Sequence, residues 1–182
     1  ALRRSSEGKE DDPQGAVPEL ETLEIDDRDT VIGIAAGGTT PYVHGALQHA
    51  KAQGSTVGLI TCVRADAVQG LVAELPGLHL IALPVGPEVV AGSTRLKAGT
   101  ATKLALNMIS TATMVRLGKV WGNLMVDLRA TNAKLRDRAA RILMSQTSLS
   151  RDAALSLLNE AGGSVKLALV MALARCGIED AR

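Results

Sequence analysis

The chain has 182 residues, of which 46% are hydrophobic, 21% charged and 1% aromatic, and its net charge is +1. That length holds one domain with at most a small appendage, and the scarcity of aromatic residues excludes a base-stacking surface for single-stranded nucleic acid. The near-neutral charge gives no basis for binding DNA or an acidic membrane surface.

Three continuous apolar runs lie in the first half of the chain, at residues 30–36, 55–62 and 78–85. Continuous hydrophobicity is typical of strands buried on both faces. Between the first two runs, Thr40 at a cap position and Pro41 at the first helical position begin a helix that Gly54 ends. This is a βαβ pattern, so we expect parallel strands, with a weaker helix at 65–75 and helices on both faces of the sheet.

Beyond residue 85 the apolar residues recur at helical spacing. We expect long helices at residues 99–117 and 123–144, and shorter ones at 150–159 and 164–175. The predicted fold class is therefore α/β: a parallel sheet followed by an all-helical C-terminal region.

The loop after the first predicted strand is the first candidate site. Gly37 and Gly38 let the backbone turn tightly and approach a ligand, and the following helix N-terminus favours an anion. The hydroxyls of Thr39 and Thr40 can donate to phosphate oxygens. The pattern therefore predicts phosphate binding, although a simple glycine turn with Thr40 as a helix cap explains it equally well.

A second polar segment opens the long helix after the third predicted strand. It contains the hydroxyls of Ser93 and Thr94 and the cations Arg95 and Lys97. Cations at a helix N-terminus oppose the helix dipole, so they predict a bound anion there. Glu88 follows the carboxyl end of the same strand, where open parallel sheets bind ligands, but it could instead pair with Arg95.

The remaining polar features suggest no chemistry by themselves. The three histidines, His44, His49 and His79, have no partner at a telling spacing, and we interpret them as structural. The acidic cluster at 7–12 is typical of a solvated terminus. Cys62 and Cys176 show neither metal nor redox spacing.

We expect a cytoplasmic protein. The chain starts with charged residues that lack the apolar core of a signal peptide. The longest apolar stretch, at residues 165–174, is about half of the ~20 residues that cross a bilayer. We therefore expect neither a membrane nor a nucleic acid as a partner.

Several long segments together resemble the bacterial N-acetylmuramic acid 6-phosphate etherase family. Residues 31–43 (VIGIAAGGTTPYV) are similar to the family's second glycine loop, and residues 86–101 (GPEVVAGSTRLKAGTA) to its signature segment. The similarity continues through residues 103–111 and 118–127. It is ungapped and covers nearly the whole chain.

The resemblance implies a sugar isomerase (SIS) domain, which is a flavodoxin-like parallel α/β sandwich that binds phosphosugars. It places an N-terminally incomplete SIS domain at residues 1–145 and a small helical bundle, similar to a ubiquitin-associated domain, at 146–182. Members cleave the lactyl ether of N-acetylmuramic acid 6-phosphate, giving N-acetylglucosamine 6-phosphate and D-lactate in cell-wall recycling. It implies a lyase that uses no metal and no cofactor and acts as a homodimer on a phosphosugar substrate.

The resemblance also assigns residues. Glu10, within a Glu-Gly-x-Glu-Asp pattern, aligns with the family's base glutamate, while the acid glutamate and a first phosphate loop belong to a segment that this sequence does not contain. We therefore expect the 182 residues alone to be inactive, with Glu10 on a mobile segment. Gly37 stands where the family usually has Ser, and residues 63–64 replace a usual Asn-Pro, which affects turnover more than binding.

Two alternatives remain open. The chain could belong to a non-catalytic sugar-phosphate regulator, since the related glucokinase regulatory protein acts by binding alone. It could also be a SIS-type aldose-ketose isomerase, although the unbroken signature segment argues against this. An acid glutamate upstream would favour the etherase.

Overall fold

A computed structural model describes residues 7–182 of the chain, so the first six residues of the predicted domain at 1–145 lie outside the described part. Contacts divide the chain into two compact units, of which the first ends at Met108 and the second is Ile109–Arg182. The division falls within one long helix. The predicted boundary after residue 145 stays a prediction.

The first unit contains three strands and the start of the long helix. Its elements are α1 (Val17–Thr22), β1 (Thr30–Ile34), α2 (Pro41–Ala52), β2 (Thr56–Thr61), α3 (Gln69–Glu74), β3 (His79–Ala82) and the first part of α4 (Lys97–Arg116). The strands form one sheet in the order β1-β2-β3, and both pairs are parallel. The predicted parallel sheet is therefore confirmed. Within the described residues, β1 and β3 are its edge strands.

Both crossover helices pack in one apolar cluster on the sheet. Val57 and Leu59 of β2 lie in this cluster with Leu47 of α2 and Leu71 of α3, and all four are buried. Two successive right-handed crossovers that advance in the same direction place their helices on the same face. This differs from the expectation that α2 and α3 would flank the sheet on both faces.

The second unit is mainly helical, as predicted. It contains the end of α4, then α5 (Ala133–Gln146), α6 (Arg151–Glu160) and α7 (Val165–Ala174). Leu143, Leu158 and Val165 are fully buried in its core. Each of the three later helices has a side-chain N-cap that accepts a backbone N–H, and these caps are Asn132, Ser150 and Ser164.

One part of this unit corrects the prediction of an all-helical region. A short antiparallel pair of strands precedes α5. β4 (Val120–Trp121) lies just before the helix predicted at 123–144, and β5 (Leu124–Met125) lies at its predicted start. Gly118 and Gly122 have positive φ angles of 68° and 58°, which glycine adopts without strain and which reverse the chain here. The helix begins only after its cap at Asn132. No helix among residues 7–182 has both the length and the apolar character needed to cross a bilayer.

Candidate functional site

The loops after β1, β2 and β3 meet at the carboxyl edge of the sheet. The N–H of Cys62 donates to the carbonyl of Ala36 at 2.9 Å, and that of Leu83 to the carbonyl of Thr61 at 2.8 Å. Backbone pairing thus continues beyond the strands, and the loops that lead into the two predicted anion-binding segments leave the same edge. Since β2 separates β1 from β3, the ends of β1 and β3 lie two strand spacings apart, about 10 Å.

The glycine loop has one position that requires glycine and one that does not. Gly38 is buried with φ of 74°, and a Cβ there would lie 2.5 Å from Cγ1 of Val68 and 3.0 Å from Oγ1 of Thr61. Gly37 is exposed, has no positive φ, and a Cβ there would meet only Oγ1 of Thr39, at 3.8 Å. The loop therefore approaches β2 closely at Gly38 and is open at Gly37.

The two threonine hydroxyls of the loop have no hydrogen-bond partner in the described part of the chain. Thr40 is the N-cap of α2, but its side chain makes no capping hydrogen bond, and its carbonyl instead accepts from the N–H groups of Val43 and His44. Thr39 is exposed, and neither hydroxyl makes a hydrogen bond within residues 7–182. The interpretation of Thr40 as a side-chain cap is therefore wrong, and both hydroxyls are available to a ligand.

Glu10 lies beside this loop. The N–H of Tyr42, in the first turn of α2, donates to the carbonyl of Glu10 at 3.0 Å, while the Glu10 side chain is exposed. Gly45 packs against the backbone of Pro13 so closely that a Cβ would overlap its carbonyl oxygen and lie 2.6 Å from its carbonyl carbon. A helix N-terminus leaves N–H groups unpaired, and one of those of α2 binds the Glu10 segment. The expected mobility of that segment stays a prediction.

Glu88 caps α4. Its Oε1 accepts the N–H of Ala98 at 2.9 Å and its Oε2 accepts the N–H of Lys97 at 3.0 Å. The hydrogen bond from Ala98 and then the one from Lys97, together with the Lys97 charge, lower the pKa of Glu88, although burial acts in the opposite direction. The suggested pairing of Glu88 with Arg95 does not occur, and the anion at this helix N-terminus is the chain's own carboxylate.

The other residues of the second segment lie in the turn that enters α4. Lys97 directs its Nζ to the carbonyl of Val85, at 2.8 Å. Arg95 is exposed and forms no ion pair with the described residues. Ser93 is half-buried and Thr94 is exposed, and both hold the turn through backbone hydrogen bonds. Of the two predicted cations, only Arg95 is thus uncommitted.

Three neighbours of the site were not predicted from the sequence to contact it. Nε2 of His44 lies 2.8 Å from the carbonyl oxygen of Gly38. The thiol of Cys62 donates to the carbonyl of Ala98 at 3.5 Å. This contact joins the carboxyl end of β2 to the first turn of α4. Burial, then the charge of Glu19, raise the pKa of Tyr42. Of the three, only His44 had a sequence position that indicated contact with the loop, since it lies one helical turn after the N-cap Thr40.

Comparison with known proteins gives one consistent name. No family model matches the chain. The N-acetylmuramic acid 6-phosphate etherases of Crocosphaera subtropica and Gloeobacter violaceus are each 54% identical to it over 94% of its length and 54% of theirs. That of Geobacillus thermodenitrificans is 49% identical over 100% of the chain and 60% of its own length. The chain thus spans a little more than half the length of the curated relatives it matches.

Proposed function

Because this chain is homologous along nearly all of its length to the N-acetylmuramic acid 6-phosphate etherases, we propose that it supplies part of the phosphosugar site of such a lyase. The observation that carries the proposal is the hydrogen bond from the Tyr42 N–H to the Glu10 carbonyl. It sets the candidate base beside the loop that is the candidate phosphate site. A sugar phosphate held at that loop would have a carboxylate at its edge.

The phosphate is proposed to lie over the loop from Gly37 to Thr40. The N-terminus of α2 supplies a favourable field there, and hydroxyls of Thr39 and Thr40 supply directional donors. Both hydroxyls are without partners among the described residues, which supports this role. Gly38 brings the backbone close to β2, so that the loop is compact beneath the ligand.

Cleavage of the lactyl ether needs an acid and a base. A base takes the sugar proton beside the aldehyde, an acid protonates the leaving ether oxygen as its C–O bond breaks, and water then adds to the double bond. We assign the base to Glu10. The acid belongs to the part of the relatives' length that the chain does not span, so the reaction is proposed for the whole protein.

The segment after β3 is proposed to bind the sugar end of the ligand. Glu88 uses both carboxylate oxygens on α4, so it orders the turn from Ser93 to Lys97 instead of binding the sugar through its own charge. The guanidinium of Arg95 is exposed and unpaired in the described part of the chain, and the hydroxyls of Ser93 and Thr94 precede it. These are the groups we assign to ligand contact.

We further propose a homodimer in the cytoplasm that uses no metal. The site assembled here is open at the edge of the sheet, where a partner subunit could complete it. Sedimentation of the full-length natural protein would give its mass in solution, and a monomer at micromolar concentration would contradict this part of the proposal.

The test is release of D-lactate from N-acetylmuramic acid 6-phosphate by the full-length natural protein. Glu10→Gln should lower kcat about 10²- to 10⁴-fold, the usual contribution of a general base. Glu74→Gln is the matched control, since Glu74 is an exposed glutamate at the end of α3. Unchanged kcat in Glu10→Gln would refute the assignment. Binding of the phosphosugar without any lactate release by the wild type would favour a non-catalytic regulator.

A further inference from the structure

His44 holds the glycine loop by a single hydrogen bond that reaches back from α2. Its Nε2 lies 2.8 Å from the carbonyl oxygen of Gly38. A carbonyl oxygen only accepts, so the ring nitrogen is the donor in this contact.

This contact sets the direction of the next amide. The peptide between Gly38 and Thr39 is planar and trans, so its N–H points opposite to its carbonyl. With the carbonyl directed at His44, the N–H of Thr39 points away from His44. That N–H has no acceptor among residues 7–182, and Thr39 itself is exposed.

The backbone on the other side of Gly38 is fixed independently. The N–H of Gly38 donates to the carbonyl of Ala35 at 2.9 Å, and Val68 and Thr61 leave no room for a side chain. Rotation of the peptide that follows Gly38 is the remaining freedom of the loop. The His44 contact removes that freedom.

We propose that His44 is a positioning residue, which aims the Thr39 N–H at the phosphate of the bound sugar. This rests on the proposed function of the loop. His44 touches neither the ligand nor Glu10 and acts only through the Gly38 carbonyl. Without the ring donor the peptide would rotate, and the amide would have to be oriented at the moment of binding, which weakens affinity for the phosphate.

The experiment compares calorimetric affinities of full-length variants for N-acetylglucosamine 6-phosphate and for unphosphorylated N-acetylglucosamine. His44→Leu should weaken binding of the phosphorylated sugar about threefold to tenfold, the usual range for one hydrogen bond, and leave the unphosphorylated sugar unaffected. His44→Gln restores a nitrogen donor of similar reach and should recover most of the affinity. His49→Leu makes the same change on the same helix, away from the loop, and should bind like the wild type.

Three results would overturn the inference in distinguishable ways. Equal phosphosugar affinity of His44→Leu and the wild type would refute the positioning role and leave the proposed function intact. Absence of phosphosugar binding by the wild type would refute the proposed function, and the role of His44 with it. A purely structural role of His44 would weaken both sugars equally and would not be rescued by His44→Gln.

Discussion

At the scale of single residues, the place where a ligand can bind depends on which groups accept the backbone N–H groups at the N-termini of α2 and α4. The Thr40 hydroxyl does not cap α2, while the Glu88 carboxylate does cap α4. The two helix N-termini at the carboxyl edge are therefore not equivalent. One is occupied by a carboxylate of the chain itself, and the other is bordered by hydroxyls that have no partner among the residues the structure describes. An external phosphate is expected at the second.

We predict that Gly38→Ala destabilises the protein by about 1–3 kcal/mol, because an alanine would adopt a left-handed backbone and crowd Val68 and Thr61. Gly37→Ala is the matched control and should change the free energy of unfolding by less than about 0.5 kcal/mol, since its surroundings are open. Urea denaturation of both variants measures the difference. Equal losses would show that the loop is not pressed against β2.

We predict that Glu88→Gln lowers stability at neutral pH and that the difference from the wild type disappears in acid. The folded-state pKa of Glu88 lies below its ordinary value of 4.5 because the carboxylate accepts the Ala98 N–H. Its contribution is thus fully present above the unfolded pKa and is lost as the pH falls through the folded pKa. Urea midpoints from pH 7 to pH 3 test this, with Glu74→Gln as the control. A difference independent of pH would contradict it.

At the scale of elements, α2 organises the first unit. It packs on β2 through Leu47, it begins at the candidate phosphate loop, and its first turn binds the Glu10 segment. The close approach of Gly45 to Pro13 makes the last contact possible. Position 45 therefore controls where the candidate base lies.

We predict that Gly45→Ala displaces the segment around Glu10. An added Cβ overlaps the Pro13 carbonyl, and this overpacking should cost about 1–3 kcal/mol despite the better helix propensity of alanine. Trypsin should then cleave after Lys9 faster than in the wild type. Gly70→Ala, in α3, meets nothing within 4 Å and should leave cleavage unchanged. An unaltered cleavage rate in Gly45→Ala would mean that the segment is not held by α2.

At the scale of the whole molecule, the chain exposes apolar surface on α4. Only Ala98 and Ala105 are buried in the 20 residues of α4, while Leu104 and Met108 are 47% and 68% exposed. β1 is also an edge strand of the described sheet. Such surfaces mark interfaces, which agrees with a chain that spans about half the length of its relatives.

We predict that the 182 residues alone release no more than about one hundredth of the D-lactate released by the full-length natural protein. The resemblance implies an acid glutamate in residues that this sequence lacks, and such an acid contributes about 10²–10⁴ in rate. Both proteins would be assayed with N-acetylmuramic acid 6-phosphate at equal concentration. Comparable turnover would show that the short chain carries a complete site.

The sequence by itself determined the parallel strands, the start of α2 and the helices α6 and α7. These depend on local patterns, namely continuous apolar runs, Pro41 after Thr40, and helical periodicity. The β4–β5 pair was missed because its residues, 120–125, continue an apolar pattern that a helix also satisfies. A run of apolar residues does not by itself distinguish a short strand pair from the first turns of a helix.

Only the tertiary structure decided how the site residues are used. The hydrogen bond from the Lys97 N–H to the Glu88 carboxylate joins residues nine positions apart in the chain. The hydrogen bond from the Tyr42 N–H to the Glu10 carbonyl joins residues 32 positions apart. Which acceptor satisfies a helix N-terminus depends on the packing that brings it there, and periodicity carries no information about that. The sequence could therefore name Glu10, Glu88, Thr39 and Thr40 as candidates. Packing alone made one carboxylate a cap and left two hydroxyls without a partner among residues 7–182.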